Sequence, residues 1–205
     1  MVRFIAFILL AMACASPVMA DWRVGLQIGY SPNYLVKLSG TGVSGGMPYS
    51  ANYDLEYQSA VELGINLWDT SPHAWGVISG FHYGAERSVS KATINGTSVP
   101  VSSDASKYQT HFLYVGAHYR WESFYIPIAI TYGITKFTTA MGAQSLEVKN
   151  GIGALLGLGW FFTDNFAIEY IGRSAGTELN VSTASSKETS KGMISSALLN
   201  LKLFF

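Results

Sequence analysis

Apolar and polar residues alternate along much of this chain with a period of two. At residues 22–30 every second residue is apolar, and polar residues or glycines stand between them. The same alternation runs through residues 53–67. Because successive side chains of a β-strand point to opposite faces, this period predicts strands with one apolar face and one polar face.

Six further segments have the length of a strand that could cross a membrane, which is about 9 to 11 residues. The alternation is irregular at residues 107–121, which indicates a bulge or a shifted register there. We therefore predict about eight strands. They lie at residues 22–30, 53–67, 74–85, 107–121, 124–136, 149–162, 166–174 and 192–205.

The predicted connections alternate between short polar turns and long loops rich in Gly, Ser and Thr. Four long loops at one end, with three short turns and both termini at the other, are typical of outer-membrane barrels. The short turns are residues 69–73, 122–123 and 163–165, and the long loops are 35–50, 86–106, 137–148 and 175–191. Asn95-Gly96-Thr97 and Asn180-Val181-Ser182 fit a glycosylation pattern, but in such loops we interpret them as turns.

The first twenty residues have the pattern of an export signal. Arg3 supplies a positive charge, residues 4–13 form an apolar run, and residues 18–20 fit a cleavage site before Asp21. The apolar run is shorter than the roughly 20 residues that a membrane-spanning helix needs. We predict a signal peptide at residues 1–20 and one barrel domain at residues 21–205.

Composition fits a membrane protein and limits the chemistry. Hydrophobic residues make up 49% of the chain, mean hydropathy is +0.23, and charged residues make up 13%, against roughly 25% in ordinary soluble domains. The formal net charge is zero, which predicts no nucleic-acid partner. Cys14 is the only cysteine and lies in the signal segment, so we predict no cofactor and no metal; a lipid-modified Cys14 remains the alternative to plain cleavage.

Aromatic residues near the predicted strand ends indicate that the environment is lipid, because such barrels carry aromatic girdles at both membrane boundaries. In lipid every backbone group must pair within the protein, so the sheet must close. We predict an all-β fold, a closed antiparallel up-and-down transmembrane β-barrel of about eight strands. The expected girdle residues are Trp22, Tyr53, Trp68, Trp75, Tyr83, Trp121, Tyr132, Trp160 and Phe205.

The polar faces would then line a narrow lumen that side chains fill. Charges buried there need partners. We expect the two arginines of this set to neutralise the acids of the second strand, and Lys202 to pair with Glu169. The predicted polar network contains Arg23, Asp54, Glu56, Glu62, Glu169, Arg173 and Lys202.

Pro127 lies inside a predicted strand, although proline removes a hydrogen bond from the ladder. One interpretation is a lateral gate that admits a lipid-like molecule through the wall, assisted by Pro32. The other is that Pro127 lies close to a turn, where pairing ends. We favour the second interpretation and keep Pro127 as the candidate lateral gate.

The last strand has apolar residues at every second position, Leu199, Leu201 and Leu203, and ends in Phe205. This pattern resembles the C-terminal assembly signal of outer-membrane barrels. Residues 157–169 resemble the strand, turn and strand unit of small barrels of the OmpA-transmembrane, OmpX, OmpW and opacity-protein kind. The resemblance implies a monomer in the outer membrane of a Gram-negative bacterium, with outer-membrane lipids, lipopolysaccharide and the barrel assembly machinery as partners.

Function is less determined than architecture, because such barrels share a scaffold and differ in their loops. Some barrels that this chain resembles modify lipid A, but no histidine here has a serine two places later, and His82 with Ser88 or Asp104 imitates a catalytic set only loosely. We predict no enzyme. The leading hypothesis is a barrel with a plugged polar lumen that presents four surface loops for adhesion, surface interaction or envelope integrity. The alternative is an OmpW-like passage for small hydrophobic molecules.

Overall fold

The computed structural model describes residues 22–70, 74–101, 106–139 and 145–205. The predicted signal peptide lies outside these residues and stays a prediction. No helix within the described residues is long and apolar enough to span a membrane. The strands are β1 (Trp22–Ser31), β2 (Tyr34–Ser44), β3 (Met47–Tyr57), β4 (Ala60–Asp69), β5 (Trp75–Tyr83), β6 (Arg87–Ile94), β7 (Thr97–Val99), β8 (Ser106–Trp121), β9 (Phe124–Thr139), β10 (Ser145–Asn150), β11 (Ile152–Thr163), β12 (Phe166–Ser182) and β13 (Ser186–Phe204).

Eight of these strands form a ring. β1 pairs with β13 and β4, and the antiparallel pairing continues through β5, β8, β9, β11 and β12 back to β13. The short connections lie at one end of this ring, which we call the turn end. At the opposite, hairpin end the closure is partial, because β6 meets β8 in two residue pairs and no ladder joins the described parts of β9 and β10.

The described strands number thirteen, so the predicted count of about eight was too low. Segments predicted as long loops instead contain strands that continue beyond the ring. They form one outer sheet in the order β10-β12-β13-β2-β3-β6-β7. Residues rich in Gly, Ser and Thr are ordered here because neighbouring hairpins pair sideways, which gives their backbone groups partners.

Two hairpins of the outer sheet turn through residues with positive φ. Gly45 and Gly46 have φ of 57° and 84°, and Asn95 and Gly96 have φ of 50° and 80°. Two consecutive residues with positive φ are what a two-residue β-hairpin turn of this kind requires. The turn predicted at Asn95 is therefore confirmed, whereas the turn predicted at Asn180 was wrong, because Asn180 lies inside β12.

The outward face of the ring is apolar. Large aliphatic side chains are exposed all around it, and aromatic side chains are exposed near the turn end. An exposed apolar band with an aromatic border is typical of a barrel in lipid. The band includes Leu26, Ile28, Leu63, Ile65, Ile128, Ile130, Leu156, Leu158, Leu199, Leu201 and Leu203, and the border includes Trp75, Trp121, Trp160 and Phe205.

Two breaks in the strands lie directly opposite each other. β1 ends at Ser31 and β2 begins at Tyr34, and the paired strands break between Tyr57 and Ala60. Pro32 lies in the first break and has no backbone N–H to give to a ladder. Each break shifts the alternation by one residue, so that odd-numbered residues of β1 but even-numbered residues of β2 are buried.

The buried side chains of the lumen lie in layers. An outer apolar cluster lies towards the hairpin end and an inner aromatic cluster lies towards the turn end, with a polar layer between them. The outer cluster includes Val36, Leu38, Tyr57, Tyr108, Phe112, Ala175 and Ile194. The inner cluster includes Trp68, Ile78, Tyr125, Leu155, Phe161 and Phe204.

Candidate functional site: the polar layer of the lumen

Glu62 is the centre of the polar layer. Its Oε1 accepts a hydrogen bond from Arg87 Nη2 at 2.8 Å, and its Oε2 accepts one from Arg173 Nη2 at 2.5 Å. The Tyr34 hydroxyl donates to Oε1 at 2.5 Å. All four side chains are buried, and they come from β4, β6, β12 and β2. The carboxylate therefore ties together four strands across the lumen.

The strand breaks position this group. Tyr34 is the first residue after the break at Pro32, and Arg87 is the first residue of β6. Arg87 Nη1 donates to the backbone oxygens of Gln58, at 2.9 Å, and Ser31, at 3.4 Å. These carbonyls belong to residues at the two breaks, so Arg87 supplies hydrogen bonds where the ladder is interrupted. Buried carbonyls without partners would be costly.

Aromatic rings and further polar groups surround the two guanidinium groups. Arg87 lies over the Tyr34 ring at 4.0 Å and Arg173 over the Phe112 ring at 4.2 Å. Arg173 also donates to Ser196 Oγ at 3.0 Å and to His82 Nδ1. Guanidinium groups suit such sites because they are weakly hydrated and stack on rings.

A second buried ion pair lies nearer the turn end. Lys202 Nζ donates to Glu169 Oε2 at 2.7 Å, and Asn200 Nδ2 donates to Oε1 at 3.2 Å. The ammonium group lies 5.6 Å from the Trp68 ring centroid. The expected pairing of Lys202 with Glu169 is therefore present. A buried pair of this kind is tolerated only when its remaining hydrogen-bonding positions are also met.

Three residues of the predicted network lie outside it. Asp54 is exposed, and Glu56 pairs with Lys91 on the outward face at 3.5 Å. The prediction that both point inward was wrong because the break before Ala60 reverses the faces of β3 relative to β4. Arg23 was also misplaced: it pairs opposite Trp68, whereas Glu62 pairs opposite Gly29, six residues and about 20 Å further along β1.

The network contains Glu62, Glu169, Arg173 and Lys202 of the seven predicted residues, and it adds Tyr34 and Arg87. Arg87 lies in the segment predicted as a long loop, residues 86–106. The alternation of Arg87 and Val89 with Ser88 and Ser90 was a signal that could have indicated a strand. Nothing in the sequence marked Tyr34, because its inward direction follows from the break at Pro32.

Two expected girdle residues also point inward. Trp68 is 1% exposed and belongs to the inner cluster, where it stacks on His118 with ring centroids 3.9 Å apart. The Tyr53 hydroxyl donates to Glu188 Oε2 at 3.0 Å. Trp75, Tyr83, Trp121, Tyr132, Trp160 and Phe205 are exposed on the outward face.

Pro127 lies in β9, opposite His118 of β8, in a ladder that runs without a shift to the turn. On its other side the pairing with β11 lapses between the Leu156–Ile128 and Gly159–Tyr125 pairs. The ladder near Pro127 is thus interrupted only on the side of β11, and only over a few residues. The role of Pro127 as a lateral gate stays a prediction.

The closing strand presents the residues of the predicted assembly signal to the outside. Leu199, Leu201, Leu203 and Phe205 are all exposed on the outward face. Their alternation leaves Asn200, Lys202 and Phe204 buried in the lumen. The role of this strand in assembly stays a prediction, but the geometry leaves its apolar side chains accessible.

The loose set of His82 with Ser88 is not brought together among the described residues. His82 is buried beside Arg173, and no described contact joins it to Ser88. Asp104 lies outside the described residues. Within the same part of the chain, no cluster of three or more His, Cys, Asp or Glu side chains could hold a metal ion.

Charged groups of the outer sheet lie outside the membrane-spanning band. Glu178 pairs with Lys149 at 2.8 Å and Lys191 at 3.2 Å. These hydrogen bonds, the one from Lys149 first, lower the pKa of the Glu178 carboxyl to about 2. A hydrogen bond to Glu188 raises the pKa of Tyr49 to about 12. The outward face of β12 and β13 thus changes from apolar to charged along the strands.

The antiparallel ring, the charged and polar side chains buried inside it and its apolar outward band define a β-barrel protein of the outer membrane. The chain is similar in structure to the outer membrane protein OprG from Pseudomonas aeruginosa, with 13% identity, a TM-score of 0.54, and coverage of 88% of this chain and 97% of that chain. It is also similar to the outer membrane protein AlkL in DMPC lipid bilayers, with 14% identity, a TM-score of 0.57, and coverage of 90% of each chain. No family model matches the sequence, and no curated protein matches it.

Proposed function

We propose that this protein is a non-conducting outer-membrane barrel that works through its outer sheet, in adhesion, surface interaction or envelope integrity. The observation that carries the proposal is the cross-lumen bond of Glu62 to Arg87 and Arg173. It joins β4 to β6 and β12 and places buried side chains across the middle of the barrel, which supports a closed lumen. A lumen closed in this way directs function to the surfaces outside it.

The outer sheet is suited to display. Its hairpins are long, its strands pair with one another, and its outward face carries charges that can be exchanged without disturbing the ring. In barrels of this class the short turns face the periplasm, which would place the outer sheet at the cell surface. Outer-membrane lipids and lipopolysaccharide would contact the apolar band, the assembly machinery would bind the closing strand, and the barrel would act as a monomer.

Conductance across a planar bilayer tests the closed lumen. We expect no steady conductance steps from the refolded protein, while a heat-modifiable shift in gel mobility shows that the barrel is folded. Arg87→Ala should introduce steps, because it removes a large lumen side chain yet leaves Glu62 paired with Arg173. Lys91→Ala, on the outward face of the same strand, is the matched control and should show no conductance steps. Defined steps from the unaltered protein would contradict a closed lumen.

Labelling of intact cells tests the orientation. Lys187→Cys places a thiol near the tip of the β12–β13 hairpin, and Ser123→Cys places one in the turn between β8 and β9. A membrane-impermeant maleimide should label the first variant on intact cells and the second only after permeabilisation. The reverse labelling pattern would mean that the outer sheet does not lie at the cell surface.

A passage for small hydrophobic molecules is the second candidate, favoured by one observation. The outer cluster is apolar, and Phe137 and Val148 pack against it from β9 and β10, the described strands between which no ladder runs. A nonpolar molecule could enter the cluster there. Saturable binding of naphthalene that Ala175→Phe abolishes, in a variant that still shows heat-modifiable mobility, would favour this candidate over a closed barrel.

A further inference from the structure

A pocket of about 500 Å³ lies inside the ring at the turn end. Its lining includes Arg23 of β1, Trp68 of β4, Arg120 of β8 and Asp164 of the turn between β11 and β12. None of these residues belongs to the polar layer described above. Trp68 contacts both regions, because it lines the pocket and the Lys202 ammonium lies 5.6 Å from its ring centroid.

The two arginines of the pocket are bonded to neutral acceptors. Arg23 Nη1 donates to the Asp164 backbone oxygen at 2.8 Å and to Asn165 Oδ1 at 3.0 Å. Among the described residues, neither Arg23 nor Arg120 forms an ion pair with a carboxylate. Both arginines therefore line the same pocket without an ion-pair partner in the part of the chain that the structure describes.

Arg120 is held in place by contacts that leave most of its guanidinium donors uncommitted. Its Nε donates to the Glu122 backbone oxygen at 2.9 Å, and its guanidinium lies 4.7 Å from the Phe161 ring centroid. An arginine fixed by its Nε and by a ring presents its Nη groups as a preorganised fork, which matches the oxygens of a phosphate or carboxylate.

Trp68 gives a second and independent indication of a ligand. It is 1% exposed, and its Nε1 has no hydrogen-bond partner among the described residues. An indole N–H can only donate, and a buried donor without an acceptor costs about 1–3 kcal/mol. His118 stacks on the Trp68 ring, and its Nε2 donates a hydrogen bond to the Asp69 backbone oxygen at 2.9 Å. The indole N–H is thus a buried donor without a partner among the described residues, on a side chain that lines the pocket.

We propose that this pocket binds a phosphate group, held between Arg23 and Arg120 with the indole N–H of Trp68 as a third donor. The three donors come from three different strands, and a phosphate group offers three acceptor oxygens to meet them, whereas a carboxylate offers two. Asp164 also lines the pocket, so among its described lining residues two guanidinium groups and one carboxylate give a net positive charge, which favours an anion.

Titration of the refolded barrel with inorganic phosphate tests this proposal. The protein is held in a maltoside detergent, which carries no phosphate, at constant ionic strength. We expect a saturable shift of the Trp68 indole ¹⁵N–¹H resonance, assigned through Trp68→Phe, and broadening of the ³¹P line. Arg23→Gln and Arg120→Gln should each weaken binding at least tenfold, a loss of the size expected for a charge-assisted bond. Lys187→Gln, a cation of the outer sheet, is the matched control.

The source of the phosphate is tested in a parallel titration with a short-chain phosphatidylglycerol. Binding of both probes through Arg23 and Arg120 would indicate a free anion site, and binding of the lipid alone would indicate a headgroup site; either supports the proposal. The proposal is overturned if neither probe shifts the Trp68 resonance, or if Lys187→Gln weakens binding as much as Arg120→Gln. Heat-modifiable mobility checks that each variant is folded, and Trp68→Phe, which retains both arginines, should weaken ³¹P broadening about threefold.

Discussion

The ring and the outer sheet follow opposite rules although they share β12 and β13. In the ring the outward face is apolar, and the ion pair of Lys202 with Glu169 is buried in the lumen. In the outer sheet an apolar cluster lies on the inward face, and the ion pairs of Glu178 with Lys149 and Lys191 are exposed. The change occurs along single strands, without a domain boundary.

The difference follows from the solvent on the outside. Lipid cannot hydrogen-bond to a free strand edge, so the strands there must close completely. Water can form hydrogen bonds to a free strand edge, and the outer sheet accordingly has free edges at β10 and β7. These ion pairs are therefore buried where the outside is lipid and exposed where the outside is water. Substitutions in the two regions should therefore have effects of very different size.

The largest effect is expected from Glu62→Ala. The substitution leaves Arg87 and Arg173 buried without their carboxylate, and breaking a buried pair in this way costs about 3–5 kcal/mol. Urea unfolding of the barrel in lipid vesicles measures the change in the free energy of unfolding.

The matched change on the outward face is Glu56→Ala, which breaks an exposed ion pair with Lys91. Its cost should stay below about 1 kcal/mol, as is usual for exposed pairs. Equal losses from the two variants would mean that Glu62 is solvated, and the contrast between lumen and surface would fail.

An intermediate effect is expected from Leu201→Arg, which places a charge on the lipid face of β13. Arginine in the middle of a bilayer costs about 2–4 kcal/mol on a barrel surface. Thr41→Arg, exposed on the outward face of β2, should cost less than about 0.5 kcal/mol because that face meets water. The same unfolding measurement compares the two, and a large loss from Thr41→Arg would place the lipid boundary further along the strands.

The sequence predicted the ring better than the outer sheet, for a physical reason. Lipid outside and polar groups inside impose a strict period of two with apolar residues outward, and residues 124–132 show it clearly. The outer sheet has water on its outward face, so its strands are short of aliphatic residues and resemble loops in composition. Strand identity there comes from sideways pairing between hairpins, which no local pattern records.

The residues of the polar layer were predictable only on strands where no break reverses which alternate residues face inward. Glu62, Glu169 and Arg173 lie on stretches whose register is set by apolar neighbours facing lipid. Residues 53–67 appear in sequence as one uninterrupted alternation, because Gln58 and Ser59 fit either face. The break there moves Asp54 and Glu56 outward, and it can be recognised only from the opposing break at Pro32.

The smallest effect is expected at Glu178, and it should depend on pH. Its pKa is lowered from 4.5 to about 2 by hydrogen bonds, the one from Lys149 first. A carboxyl whose pKa is lower in the folded protein contributes stability that is present above its unfolded pKa and is lost as pH falls through the folded value. Amide exchange of β10 should therefore be about twofold slower in the natural protein than in Glu178→Gln at pH 6, as expected for exposed pairs. The amide exchange rates of the two proteins should become equal near pH 2. A difference that persists at that pH would mean that the Glu178 side chain supports the sheet by packing, and that the exposed pairs of the outer sheet contribute no charge-dependent stability.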